Sequence, residues 1–328
     1  MSKEVMMQAV IQHEFGSADV LKCEQIPRPS RQEGEVLIKV AYASINYADL
    51  KTRVGGKGEA EFPFTLGLDA AGMVEEASES SVFSPGDRVI AFPKSGSYAQ
   101  YAIASEALVF KIPDELSFEQ AAAMPTVAIL SYMLIHEIGR VKASDTVVIH
   151  SAGGGVGSML VQLAKQAGVE NVMGTVGSLD KKEYVESLGA DAVFTYDTFS
   201  EEVLKRTKDQ GADVIFDSMA GDVTERSLAC LALYGTLVQF GNSSGKAGSF
   251  KTSDVHSSCR SVKGFSLGTT RKHAPERLAP AAAKVIDLFA KREVNLSIQQ
   301  VFDLKNAADA HRLVESRNYE GKILLKVL

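Results

Sequence analysis

Short runs of alternating apolar and polar residues fill the first third of the chain: Gln8-Ala-Val-Ile-Gln, Glu35-Val-Leu-Ile-Lys-Val, Gly86-Asp-Arg-Val-Ile-Ala-Phe and Tyr98-Ala-Gln-Tyr-Ala. A period of two turns one set of side chains to a core and the other to water, and turn residues separate the runs. The stretch from Gln8 to about Pro113 therefore reads as an antiparallel β domain.

From Asp145 the pattern changes. Apolar strands of about five residues alternate with helical stretches of about ten to fourteen, the signature of βαβ units and a parallel sheet. The strands are expected at Thr146 to His150, Asn171 to Val176, Ala192 to Thr195, Asp213 to Asp217, Gly235 to Gly241 and Val262 to Phe265. Helices are expected at Val156 to Ala167, Asp180 to Leu188, Ser200 to Asp209 and Thr224 to Leu233. Gly168, Gly189, Gly211 and Gly235 follow the ends of these helices. Six strands fit one doubly wound α/β sheet. Asn242 to Ser253, rich in Ser, Gly and Lys, reads as a loop at a strand's carboxyl end.

In the tail the pattern predicts a helix from about Pro275 to Lys291, a short strand near Gln300, a helix from Asn306 to Glu315 and a last strand Lys322 to Val327. Its alternation suits the β domain better than the parallel sheet, so the chain is expected to return there.

Composition narrows the class. A chain of 328 residues with 45% hydrophobic content can bury a large core, and its length favours two domains. The net charge of −6 is spread without blocks of either sign, which points away from nucleic acid and anionic membranes and toward small molecules. Cys23, Cys230 and Cys259 have no paired spacing, so neither a disulfide framework nor a Cys-x-x-Cys metal site is indicated, and a reducing compartment is implied. No leader pattern or membrane-length apolar run is read, and the cytoplasm is the expected location.

The candidate chemistry begins at His150-Ser-Ala-Gly-Gly-Gly-Val-Gly-Ser, between the first parallel strand and its helix. Ala152, Gly154 and Gly157 occupy the three key places of a dinucleotide fingerprint, in the variant AxGxxG. The chemistry needs a tight turn at the first place and no Cβ at the second, where backbone amides approach a pyrophosphate. At the third a small residue is needed, because the helix packs there on the strand. Gly153, Gly155 and Val156 complete the turn.

An NAD enzyme usually sets an acid about twenty residues further on, against the ribose 2′-hydroxyl. Here Gly177-Ser178 stand at that place. The Ser178 hydroxyl can bond a 2′-phosphate and Lys181 can pair with its charge, so NADPH is favoured over NADH. Asp180 beside them can cap the helix or take part of that charge.

Ser44-Ile-Asn-Tyr-Ala-Asp, Gly67-Leu-Asp-Ala-Ala-Gly, Pro85-Gly-Asp-Arg-Val, Glu119-Gln-Ala-Ala-Ala, the glycine turn, Gly174-Thr-Val-Gly-Ser, Asp217-Ser-Met-Ala-Gly, Phe240-Gly-Asn-Ser-Ser-Gly and Gly321-Lys-Ile follow one another in a specific order. On these the chain resembles the zinc-independent, zeta-crystallin-like quinone oxidoreductase branch of the medium-chain dehydrogenase/reductase superfamily, over nearly its whole length. The resemblance implies a GroES-like catalytic domain from residues 1–123 and 268–328, an inserted Rossmann domain of residues 124–267, and a cleft between them for the nicotinamide. It carries nicotinamide-side contacts to Asn46, Ser218, Phe240, Gly241 and Asn242. It carries 2′-phosphate-side contacts to Ser178, Lys181 and Tyr196. Leu130 departs from the family, many members of which carry a threonine near the nicotinamide.

Zinc-dependent relatives place a cysteine where Asn46 stands and a His-Glu pair where Leu68-Asp69 stand, and they add a four-cysteine cluster. The resemblance thus implies a metal-free enzyme. Without a metal to polarise a carbonyl, quinones and activated C=C bonds are the more plausible hydride acceptors. Asn46 and Tyr47, in the expected loop Asn46-Tyr47-Ala48-Asp49, are the candidate donors to the developing charge; solvent is the alternative proton source. Tyr47 reads equally as a core-facing aromatic, and Asp49 as a structural acceptor. His136, His150 and the other histidines lack ligand spacing and read as structural. Three readings stay open: a quinone reductase, an enal, enone or enoyl-thioester reductase, and a non-catalytic NADPH-binding protein. Similar proteins pair through the last strand of each Rossmann sheet, and a homodimer through Val262 to Phe265 is expected.

Overall fold

The computed structural model describes residues 5–56 and 61–328. The chain forms two compact units, one of Met1–Thr126, Arg271–Arg292 and Leu296–Leu328, the other of Val127–Thr270 and Glu293–Asn295.

The first unit contains β1 (Met6–Gln12), β2 (Lys22–Pro27), β3 (Glu35–Ser44), α1 (Tyr47–Arg53), β4 (Phe64–Thr65), β5 (Ala70–Glu76), β6 (Arg88–Ala91), β7 (Tyr101–Ser105), β8 (Val109–Lys111) and α2 (Phe118–Ala123). The second runs through α3 (Pro125–Met133), β9 (Thr146–Ile149), α4 (Gly155–Gln166), β10 (Asn171–Val176), α5 (Lys182–Ser187), β11 (Ala192–Thr195), α6 (Phe199–Arg206), β12 (Ala212–Asp217), α7 (Asp222–Ala229), β13 (Leu231–Gln239), α8 (Thr252–His256) and β14 (Ser261–Gly264). The remaining elements are α9 (Leu267–His273), α10 (Leu278–Ala290), β15 (Ile298–Asp303), α11 (Ala307–Ser316) and β16 (Lys322–Lys326).

Among the described residues the first unit has a three-stranded sheet, β2-β1-β4, and a seven-stranded sheet in the order β15-β16-β3-β5-β6-β8, with β7 also paired to β3. The tail does return: β16 runs antiparallel to β3, Leu324 opposite Ser44, and Ile45 N donates to Ile323 O at 3.0 Å. That pairing sets Lys322 beside the residues that follow β3. Val10, Ile45, Leu50, Tyr98, Val314 and Ile323 are buried in one cluster beneath α11. Burying such a side chain contributes about 1.5–3 kcal/mol.

In the second unit β11-β10-β9-β12-β13-β14 form a wholly parallel sheet of six strands. Val148, Met173, Phe199, Ile215, Leu228 and Leu237 are buried together on one side of it. The expected strands and helices are present, most within a residue or two of the expected ends.

Two expectations are corrected. Asn46 to Asp49 is not a loop, because α1 begins at Tyr47; the Asp49 carboxylate accepts the Asn46 backbone N–H at 2.8 Å and fixes the first turn. The helix expected to reach Leu233 ends at Ala229, and β13 already starts at Leu231. Leu231 and Ala232 are buried in the sheet, and the chain kinks at Tyr234, whose φ is 62°. Gly235, expected to follow a helix end, lies inside that strand.

Candidate functional site

In the second unit the turn after β9 is shaped by close packing. A Cβ on Gly157 would stand 2.1 Å from Ser151 O and 2.7 Å from Ala152 Cα, so α4 lies against the strand end as the third fingerprint place requires. Ala152 is buried, and its Cβ fills the space left by Gly174 on β10. A Cβ on Gly154 would meet only Ser151 O, at an ordinary 3.4 Å. The packing of the protein itself therefore does not demand glycine at 154, and the space beside the turn is open. Gly155, Val156 and Gly157 open α4, where backbone N–H groups lack intrahelical partners and carry the positive end of the helix dipole. The turn fits a bound pyrophosphate.

Gly177 and Ser178 follow β10 and are exposed. The Ser178 hydroxyl caps the turn Leu179–Lys181, accepting from Asp180 N at 3.3 Å and donating to Asp180 Oδ2 at 2.8 Å. Lys181 passes over the glycine turn: a Cβ on Gly153 would lie 2.9 Å from Lys181 Cδ. Lys181 thus borders the fingerprint, and Ser178, three residues before it, is paired with Asp180.

The strand ends carry a hydroxyl cluster that centres on Ser151, a residue not singled out in the sequence. Ser151 N donates to Tyr196 Oη at 2.9 Å, the two hydroxyls lie 3.0 Å apart, and Ser218 Oγ donates to Ser151 Oγ at 3.1 Å. Tyr196 therefore points its hydroxyl at Ser151. Ser151 has φ 56°, a left-handed conformation uncommon for a residue with a Cβ. Phe240, Gly241 and Asn242 follow β13; Phe240 N donates to Asp217 O at 2.9 Å, and a Cβ on Gly241 would stand 2.8 Å from Ser218 O. The buried Asp217 carboxylate accepts from Met219 N, Ala220 N and Thr224 Oγ1 at 2.7, 3.0 and 2.8 Å and holds the turn beneath Ser218.

His150 pins this region from below. Its ring nitrogens lie 2.8 Å from Thr175 Oγ1 and 2.8 Å from Ser227 Oγ. The Ser227 hydroxyl already donates to Val223 O at 2.6 Å, so it accepts from His150 Nε2–H, and Nδ1 accepts from Thr175. Burial lowers the His150 pKa to about 4, and the ring is neutral at pH 7. His136 is exposed beside Tyr132, ring centroids 4.3 Å apart, and desolvation by its neighbours lowers its pKa too. Leu130 is buried in α3.

In the first unit Asn46 is buried among charges. Its Oδ1 accepts from Lys322 Nζ at 2.9 Å and its Nδ2 donates to Asp69 Oδ1 at 3.1 Å. Asp69 also accepts from Ser44 Oγ at 2.6 Å and from Thr126 N at 2.9 Å. Asp49 accepts from Tyr98 Oη at 3.3 Å, Tyr98 Oη lies 3.1 Å from His311 Nε2, and Arg53 Nη1 lies 3.3 Å from His311 Nδ1. Arg53 ends the chain of contacts in an ion pair with Glu315. Burial, with Arg53 adding to it, lowers the His311 pKa to about 3, so this ring is neutral as well. Burial also lowers the Lys322 pKa, while Asp69 and Asp49 act the other way. Asp49 thus accepts hydrogen bonds from both the Asn46 N–H and Tyr98 Oη. Tyr47 is 39% exposed, with Lys51 Nζ 5.6 Å from its ring centroid, and is not the core-facing aromatic weighed from the sequence.

This donor set does not fit zinc. A carboxamide stands where zinc relatives have a thiolate, and an ammonium lies 2.9 Å from its oxygen.

A largely antiparallel unit closed by the chain's tail and a parallel sheet with a dinucleotide turn define a medium-chain dehydrogenase/reductase. Family models agree: residues 32–114 match the alcohol dehydrogenase GroES-like domain and residues 155–285 the zinc-binding dehydrogenase family. The chain belongs to the zinc-independent quinone oxidoreductase branch of that superfamily. It is 32% identical over 315 residues to a probable quinone oxidoreductase of Schizosaccharomyces pombe, covering 94% of each chain. It is 32% identical over 327 residues to the quinone oxidoreductase of Sus scrofa, covering 98% of each. Its fold matches the crystal structure of Escherichia coli quinone oxidoreductase complexed with NADPH with a TM-score of 0.91 at 29% identity, over 98% of this chain and all of that one.

Proposed function

We propose that this chain is an NADPH-dependent, metal-free oxidoreductase that transfers hydride to a quinone-type acceptor. The observation that carries the reading is the turn at Gly154 and Gly157, bordered by Lys181, with Ser178 at the chain position where an NAD enzyme keeps an acid. Its relatives named quinone oxidoreductases point to the acceptor.

When bound, NADPH supplies the hydride. The work of the chain is to position and desolvate the reactants rather than to form a covalent intermediate. In this reading Ala152 and Gly153 shape the turn, and Gly154 with the Gly155, Val156 and Gly157 amides receives the pyrophosphate. Gly177 leaves room at the ribose, and Ser178 and Lys181 take the 2′-phosphate, with Tyr196 re-pairing its hydroxyl from Ser151. Ser218, Phe240, Gly241, Asn242 and the Asn46 amide serve the nicotinamide side. Tyr47 or solvent returns the proton to the reduced acceptor.

Residues 124–267 are proposed as the NADPH-binding domain and residues 1–123 with 268–328 as the catalytic domain. We also propose a cytoplasmic homodimer. The strand β14 is one of the two edges of the parallel sheet, and edge strands pair readily with a second copy. Light scattering is expected to give twice the 35.2 kDa chain mass, and a mass near that of one chain contradicts the dimer. Among the described residues no helix is long and apolar enough to cross a membrane.

The acceptor is tested by steady-state oxidation of NADPH with 1,4-benzoquinone, 2-alkenals and crotonyl thioester compared side by side. A higher kcat/KM for the quinone is expected. A higher value for either C=C acceptor moves the chain to alkene reduction, and tight NADPH binding without turnover moves it to a non-catalytic role.

A further inference from the structure

Lys322 opens the last strand of the chain and is 3% exposed. Its ammonium donates to Ile45 O and to Asn46 Oδ1, each at 2.9 Å. The opposite end of the same amide donates to Asp69 at 3.1 Å. An ammonium only donates and an ionised carboxylate only accepts. If the amide flipped, its NH2 would face the ammonium and its carbonyl the carboxylate, both repulsive and both buried. Asn46 is therefore held in one of its two flip states by a donor-only partner on one side and an acceptor-only partner on the other.

Each partner is itself fixed. Asp69 is held by Ser44 Oγ and Thr126 N. Lys322 is placed by the turn before it, where Gly321 has φ 65° and a Cβ would stand 2.1 Å from Ser297 O. The main chain of Asn46 is tied to Asp49 at 2.8 Å. Burying an ammonium is costly, and packing alone is served as well or better by an apolar side chain of similar length. The lysine must then serve the polar groups it touches.

We propose that Lys322 is a positioning residue for hydride transfer: with Asp69 it locks the Asn46 amide into the single orientation that meets the nicotinamide. The proposal rests on the reading of Asn46 as a nicotinamide contact. The competing role is a plain counter-ion that stabilises Asp49 and Asp69 without bearing on the reaction.

The two roles separate in a double-mutant cycle on the full-length protein. kcat and KM for NADPH are measured with saturating 1,4-benzoquinone, and NADPH Kd by fluorescence titration, for the parent, Lys322→Met, Asn46→Ala and the double variant. The lock predicts that Lys322→Met lowers kcat by about ten- to a hundredfold, as misplaced reacting groups do. Kd is expected to change little, and the double variant to be no slower than Asn46→Ala alone. Losses that multiply in the double variant, or a parental kcat in a folded Lys322→Met, overturn the lock and leave the counter-ion role. Full activity in Asn46→Ala overturns the reading of Asn46 beneath it, and the lock falls with it. If Lys322→Met does not fold, Asp69→Asn removes the acceptor-only partner at nearly constant volume and is judged by the same additivity criterion.

Discussion

The Ser178 hydroxyl donates to the Asp180 carboxylate at 2.8 Å, so the residue proposed to bond a 2′-phosphate already serves an anion of its own chain. A phosphate arriving there competes with Asp180 for the hydroxyl and is repelled by its charge. Asp180→Asn removes the repulsion. Because the site is exposed and screened, the expected gain is modest, a fall of about two- to fivefold in the KM for NADPH with KM for NADH unchanged. Steady-state kinetics with both coenzymes check it; a rise in KM for NADPH shows that Asp180 supports the site.

Lys181→Ala is expected to raise KM for NADPH several-fold and leave NADH little changed, because only the phosphorylated coenzyme offers the ammonium a dianion. Equal effects on the two coenzymes contradict the assignment.

Gly154→Val tests the turn. The space around Gly154 accepts a Cβ without an internal clash, so the variant is expected to fold with a melting temperature near that of the parent. Its branched side chain occupies the approach to the first-turn amides, and NADPH binding is expected to be lost by titration. Undiminished binding places the nucleotide elsewhere.

Two buried rings set a pH dependence of stability. The His150 pKa is lowered to about 4 and that of His311 to about 3, both chiefly by burial, from an ordinary value near 6.5. Below pH ~6.5 the unfolded chain binds protons at these rings that the folded chain refuses until about pH 4 and pH 3. Their contribution to stability is therefore complete above pH ~6.5 and is lost as pH falls toward those values. Melting temperature is expected to fall between pH 7 and pH 5, a window above ordinary carboxylate titration, and to fall less steeply in His150→Asn. A slope unchanged by that substitution contradicts the assignment to His150.

The parallel sheet was legible because each strand is a short apolar run closed by glycine or a polar turn, as at Asn171–Val176 and Ala192–Thr195. The helix α1 was not, since seven residues carry too little periodicity and its signal is the Asp49 carboxylate on the Asn46 N–H. The start of β13 was misplaced because Leu231 and Ala232 extend an apolar run that suits helix or strand alike, and only pairing with Ala212 decides. The glycine turn could be read locally, since its chemistry lies within eight residues of chain. The Asn46 surroundings could not: Lys322 lies 276 residues away and Asp69 23, and only the pairing of β16 with β3 brings them together. Ser151 escaped notice because a serine at a strand end has many ordinary uses.

The most direct test of the account is the ratio of kcat/KM for NADPH to that for NADH in the unmodified protein, with 1,4-benzoquinone as acceptor. Preference for NADPH by about tenfold or more, with turnover, is expected from a hydroxyl and an ammonium in place of the ribose-binding acid. Equal use of the two coenzymes, or a preference for NADH, contradicts it.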